Sequence, residues 1–158
     1  MTIDEVLEAG ASPAMAILRG IEPDECIAIG AACIEAGIRL IEVPLNSPQP
    51  LLSIERLVKS FGAEAAIGAG TVLTGAQLQS VIDIGASFAV APNVDLAVVE
   101  AAQSARFEFL PGVMTPSECF LALKSGADGL KIFPASLLGP SGITAIRAVL
   151  PPGTQVYA

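Results

Sequence analysis

The chain contains no histidine, no tryptophan and a single tyrosine, and charged residues make up only 15% of it. Without histidine a Ser-His-Asp triad is excluded, and so are most transition-metal sites, which rely on imidazole nitrogen. The three cysteines, Cys26, Cys33 and Cys119, are odd in number and lack CxxC spacing, which argues against a disulfide framework or a zinc site. Basic clusters are missing too. With 8 Lys and Arg against 16 Asp and Glu, the net charge is −8, and the concentrated cationic footprint of a nucleic-acid binder is not there. The N-terminal Met1-Thr2-Ile3-Asp4-Glu5 has no basic stretch followed by an apolar one, so no signal peptide is read. The longest uncharged stretch, 65–82, is broken by Gly68-Ala69-Gly70 and Gly75 and carries Gln77 and Gln79, so it does not read as a membrane span. A cytoplasmic protein is the default expectation. The chemistry is left to amines, carboxylates, hydroxyls and the backbone.

What is present is a strongly apolar chain of 158 residues, 53% hydrophobic, long enough for one domain with a sizeable core. Few charges with many Gly and Ala suit a sheet buried on both faces by helices. Strand candidates fall at 14–18, 39–45, 65–69, 87–91, 107–110, 129–133 and 155–158, with helical periodicity between them. Leu51, Ile54, Val58 and Phe61 mark one apolar helical stripe. Pro23, Pro48 and Pro116 suit first helical positions, with Ser47 and Thr115 as N-caps, and Thr115-Pro116-Ser117-Glu118 matches a capping box. Gly37, Gly62, Gly85 and Gly126 suit left-handed positions just past helix ends. Cys26 and Cys33 are expected on one helix, too far apart to bridge.

Alternating strand and helix implies parallel pairing with right-handed crossovers. An open doubly wound sheet and a closed (β/α)₈ barrel compete. The sequence supplies six strand–helix units and a seventh strand, so the expectation is one domain over 1–158 that is an incomplete (β/α)₈ TIM barrel.

In such folds the functional face lies at the carboxyl ends of the strands. Four polar residues stand there: Arg19, Glu42, Thr71 and Lys131. Lys131 sits alone in the uncharged run Gly129-Leu130-Lys131-Ile132-Phe133-Pro134-Ala135-Ser136. A buried lysine is costly unless partnered or neutral, and a neutral amine is a nucleophile that forms Schiff bases with carbonyls. A lysine snorkelling to solvent is the alternative. Period-two alternation puts Gly129 and Phe133 on the face of Lys131, and small Gly129 is expected to leave space beside it. Each remaining candidate also has a plain structural reading. Glu42 could form an ion pair with Lys131 or Arg39, Arg19 with Asp24 or Glu25, and Thr71 could cap a turn or helix. Gly68 and Gly70 fit tight local geometry better than a phosphate cradle, and Pro92 and Pro111 fit strand termination. Together, an amine, a carboxylate and an arginine aimed at one face without a histidine or metal motif describe a Schiff-base site. In it the lysine is nucleophile, the carboxylate proton shuttle and the arginine carboxylate anchor.

At these residues the chain resembles the 2-keto-3-deoxy-6-phosphogluconate aldolase family. The resemblance is carried by Ala16-Ile17-Leu18-Arg19-Gly20, Ile41-Glu42-Val43-Pro44-Leu45-Asn46-Ser47-Pro48, Ile67-Gly68-Ala69-Gly70-Thr71-Val72, Ala91-Pro92-Asn93 and Lys131-Ile132-Phe133-Pro134-Ala135-Ser136, in family order. It implies a (β/α)₈ barrel, a class I aldolase mechanism with neither metal nor cofactor, and a homotrimer. It also implies that Lys131 forms the Schiff base and that Glu42 moves protons through a water. Thr71 and Arg19 would bind the pyruvate-derived carboxylate, and Phe133 and Pro92 would line the pocket. The gluconate-type members usually carry an arginine four residues after the glutamate, where this chain has Asn46. That makes it more similar to the 2-keto-3-deoxy-6-phosphogalactonate type, acting in galactonate degradation. The family's phosphate-binding loops correspond to positions beyond Ala158, so the chain is expected to be C-terminally truncated. The expected activity is cleavage of 2-dehydro-3-deoxy-6-phosphogalactonate to pyruvate and glyceraldehyde 3-phosphate. The alternatives are the 6-phosphogluconate epimer, a phosphosugar isomerase or epimerase on the same barrel, or a non-catalytic module. The expected partner is a phosphorylated keto sugar acid, with no nucleic acid and no membrane.

Overall fold

Apolar runs separated by helices form parallel strands throughout the computed structural model, which describes residues 1–158. Two compact units are present, Met1–Val72 with Ala76–Ala89 and Leu73–Gly75 with Val90–Ala158, and each is described in turn.

The first unit runs α1 (Ile3–Glu8), β1 (Met15–Ile17), α2 (Cys26–Glu35), β2 (Leu40–Pro44), α3 (Pro50–Phe61), β3 (Ala66–Gly70), α4 (Gly75–Asp83) and β4 (Phe88–Val90). Its strands pair in parallel in chain order. Every residue of β2 and β3 is buried, as a parallel sheet covered on both faces requires. Ile41 and Val43 alternate with Leu40, Glu42 and Pro44, and the register sets Ile67 and Ala69 beside the former and Ala66, Gly68 and Gly70 beside the latter. Helix α3 packs on β2 and β3 and buries Ser53, Ile54 and Leu57, so its apolar stripe is centred nearer Leu57 than the spacing of Leu51, Val58 and Phe61 suggests. It also packs closely on α2, where a Cβ added at Gly30 would come within 2.6 Å of Leu57 Cδ2.

Several boundaries differ from expectation. Helix α1 was not anticipated; Thr2 and Glu5 close a capping box at its start, with bonds of 3.2 and 2.9 Å. Helix α3 begins at Pro50 behind a left-handed Gln49, not at Pro48 behind Ser47, and α2 begins at Cys26, not Pro23. The Pro23 carbonyl instead accepts from Arg56 Nη1 at 2.7 Å and from Cys26 Sγ at 3.3 Å, which holds 23–25 as a turn. Gly37 and Gly85 take the left-handed conformation expected of them, whereas Gly62 stays helical at φ −62°.

The second unit contains α5 (Leu96–Ala105), β5 (Glu108–Leu110), β6 (Gly112–Val113), α6 (Pro116–Lys124), β7 (Gly129–Ile132), α7 (Ala135–Arg147) and β8 (Gln155–Tyr157). Pro111, expected to end a strand, only interrupts it: having no N–H it breaks the ladder for one residue, and the chain resumes as β6. Strands β6, β7 and β8 are parallel neighbours. The core joins Val113, Leu130 and Ile132 of the strands to Cys119 and Ala122 of α6 and Ile146 of α7. Helix α6 starts at the expected capping box, Thr115 with Glu118, and ends before left-handed Gly126. Helix α7 kinks at Gly139-Pro140. With β5 and β6 counted as one broken strand, the element order is six strand–helix units and a seventh strand, the wiring of an incomplete (β/α)₈ barrel. No helix is long and apolar enough to cross a membrane.

Candidate active site

In the first unit, Arg19 and Thr71 stand just past the carboxyl ends of β1 and β3, and Glu42 is the middle residue of β2 between them. Glu42 lies within β2 and is only 1% exposed. Its cross-strand partners are Ile17 and Gly68. The carboxylate leans over Gly70, where an added Cβ would stand 2.7 Å from Glu42 Oε1. Gly68 is equally constrained, since a Cβ there would come within 2.5 Å of the Phe88 ring. Both glycines thus serve close packing inside the strand, which agrees with the tight-geometry reading.

Thr71 follows β3 directly and has φ +57°. A β-branched residue in the left-handed region is strained, at a cost of order 1–3 kcal/mol, and such strain gathers at functional sites. Thr71 makes no side-chain hydrogen bond and caps no helix; α4 starts four residues later. Arg19 follows β1, and its guanidinium donates from Nη1 to Asn46 Oδ1 at 2.9 Å. The expected acidic partners are engaged elsewhere: Asp24 pairs with Arg56 at 3.0 Å, and Glu25 accepts from the Glu22 N–H at 3.3 Å. Arg39 takes part in neither the Arg56–Asp24 nor the Lys59–Glu55 ion pair.

In the second unit, Lys131 occupies the third position of β7 and is half-buried, unlike the fully buried residues around it. Its Nζ lies over the Phe133 ring, 5.8 Å from the centroid, a cation–π distance. Its N–H donates to the Pro111 carbonyl at 2.9 Å and that of Phe133 to Val113 at 3.0 Å, so both hang from the broken β5–β6 strand. Register places Gly112 and Tyr157 on either side of Lys131. Pro92 packs its main chain on Gly112, where an added Cβ would come within 2.3 Å of the Pro92 carbonyl carbon. The space expected beside Lys131 at Gly129 is filled: a Cβ there would meet Leu110 Cδ2 at 2.9 Å and Gln155 Cβ at 3.3 Å. Gly129 therefore admits neighbouring side chains rather than a ligand.

Spacing alone does not reveal that Asn46 and Ser47 tie strand ends together. Ser47, expected as an N-cap, is 7% exposed and accepts the Gly20 N–H on Oγ at 3.0 Å. A polar pair just past a buried strand that carries a candidate catalytic carboxylate is the signal that could have found them. No group of three His, Cys, Asp or Glu side chains is placed to hold a metal ion.

The family described as KDPG and KHG aldolase matches residues 3–158. A probable 2-dehydro-3-deoxy-6-phosphogalactonate aldolase of Rhizobium meliloti (strain 1021) is 52% identical over 146 residues, which are 92% of this chain and 69% of that protein. Among solved structures, one described as native KDPGal superposes with a TM-score of 0.90 at 45% identity, over 93% of this chain and 71% of that one. A KDPG aldolase from Legionella pneumophila, with pyruvate captured as a covalent carbinolamine, gives 0.85 at 31% identity over 92% and 70%. The alternating strands, the residues at their carboxyl ends and these likenesses converge, and the chain belongs to the KDPG and KHG aldolase family.

Proposed function

We propose that this chain is a class I aldolase that cleaves 2-dehydro-3-deoxy-6-phosphogalactonate to pyruvate and glyceraldehyde 3-phosphate through a Schiff base on Lys131. The observation that carries the substrate is the gap in identity: 52% and 45% toward proteins named for the phosphogalactonate compound, against 31% toward the Legionella KDPG aldolase. Asn46 as the partner of Arg19 supports the same reading.

In this mechanism the free amine of Lys131 adds to the C2 keto carbon to give a carbinolamine. Its hydroxyl leaves as water and a protonated imine remains. Glu42, acting through a water, supplies the proton for that departure and then takes the proton of the C4 hydroxyl. The C3–C4 bond breaks, its electron pair runs into the imine, and glyceraldehyde 3-phosphate leaves an enamine. Protonation at C3 and hydrolysis release pyruvate and restore the amine. Arg19 and Thr71 hold the carboxylate, while Phe133 and Pro92 line the apolar side of the pocket. A homotrimer located in the cytoplasm completes the reading.

The test is borohydride reduction in the presence of pyruvate, with mass analysis of the peptide bearing Lys131, followed by turnover on both C4 epimers. A pyruvyl adduct on Lys131 and faster turnover of the galactonate epimer are expected. An adduct elsewhere, or preference for the gluconate epimer, would refute the assignment of the lysine or the substrate respectively. Lys131→Ala should lose turnover by several orders of magnitude and still fold. Sedimentation equilibrium should give three times the chain mass.

A further inference from the structure

We propose that Asn46 is a positioning residue for Arg19, a neutral acceptor that aims the guanidinium at the substrate carboxylate without consuming its charge. The inference rests on the aldolase reading above. Strand β2 and the turn that follows it grip the segment that follows β1 at three places. The Leu18 N–H donates to the Glu42 carbonyl at 2.9 Å, the Gly20 N–H to buried Ser47 Oγ at 3.0 Å, and Arg19 Nη1 to Asn46 Oδ1 at 2.9 Å. The Ser47 N–H closes the turn on the Pro44 carbonyl at 2.9 Å. The main chain on both sides of Arg19 is thus held to β2 and its turn, and the hydrogen bond to Asn46 directs the exposed guanidinium.

The chemistry of the acceptor matters. Arginine carries five N–H donors in a rigid fork, and a single amide oxygen occupies one of them. The rest of the fork stays available to a carboxylate. An acidic residue at 46 would pair with the guanidinium, share its charge and compete with an anionic ligand. The nearby carboxylates that could do so, Asp24 and Glu25, are held away by Arg56 and by the Glu22 N–H. Arg19 and Asn46 are both exposed, so their hydrogen bond adds little to folding and its effect falls on ligand binding.

The experiment measures the rate of borohydride trapping on Lys131 against pyruvate concentration for the wild type, Asn46→Ala and Asn46→Asp. Acetone, which has the carbonyl but no carboxylate, is the control. Asn46→Ala should raise the half-saturating pyruvate about three- to tenfold, the worth of one orienting hydrogen bond, and leave the rate at saturation unchanged. Asn46→Asp should raise it at least as much. Trapping of acetone should not change in either variant. Wild-type pyruvate affinity in Asn46→Ala or Asn46→Asp, or a parallel loss with acetone, would overturn the role of Asn46 while leaving the aldolase reading intact. Failure of the wild type to trap pyruvate would instead remove the aldolase reading, and this inference with it.

Discussion

One methyl group measures how tightly Glu42 is held. Because a Cβ at Gly70 would stand 2.7 Å from Oε1 and 3.0 Å from Cδ, Gly70→Ala must displace a carboxylate that is 1% exposed. We expect it to cost about 1–3 kcal/mol of stability, as overpacking does, and to lower kcat more than tenfold. Gly75→Ala is the control, since nothing lies within 4 Å of its added Cβ, and should leave both within error. Thermal melts and steady-state rates on the two variants decide it. The thiols are graded in the same way. Cys26 and Cys119 are 0% exposed, and burial pushes both thiols up, Arg56 opposing part of that at Cys26. Cys33 is partly exposed. Iodoacetamide should therefore label Cys33 in the native protein and the other two only after unfolding, as peptide mass mapping will show. At this scale the places of Lys131 and Glu42 within strands were legible, because a charge inside an apolar run is conspicuous by itself. The occupant of the space at Gly129 was not, because Leu110 and Gln155 reach it from other strands.

Helix α6 shows what an element owes to its first turn. The Glu118 carboxylate accepts from the N–H groups of Met114 and Thr115 at 2.9 and 2.8 Å and from Thr115 Oγ1 at 2.9 Å. The Met114 N–H, with the Thr115 hydroxyl next, holds its pKa below the usual carboxylate range. A folded-state pKa lower than the unfolded one means that this stabilisation is complete above the unfolded value. It is lost as pH falls through the lowered folded value. Glu118→Gln should cost about 1 kcal/mol at neutral pH and make the acid side of the stability curve shallower, measured by urea unfolding from pH 7 downward. This capping box was legible because both partners lie within four residues. Ser47 looked like the same device, yet its partner, Gly20, is 27 residues away and only the pairing of β1 with β2 brings it near. The box at Thr2 went unread because a helix of six residues is too short to show a period. Local chemistry can be read from spacing; contacts made by strand register cannot.

For the whole molecule, alternation of strand and helix sufficed to read parallel pairing and right-handed crossovers, but it left an open sheet and a barrel competing, and the family resemblance pointed to the barrel. What alternation does not specify is the register, and the register decides that Glu42 stands beside Gly68 and Lys131 beside Gly112. The net charge of −8 acts at this scale as well. The protein should bind an anion exchanger at pH 7 and pass through immobilised heparin at about 0.1 M salt, where screening extends over roughly 10 Å. Retention on heparin would reveal a cationic face that the composition does not lead one to expect. A last consequence concerns breeding the protein for heat resistance. Thr71 keeps a left-handed backbone at a cost of order 1–3 kcal/mol, while glycine there would lose about 0.5–1 kcal/mol more in chain entropy. A selection that rewards survival at high temperature alone should therefore recover Thr71→Gly. The survivors would melt a few degrees later and, on the role proposed for Thr71, bind pyruvate less tightly.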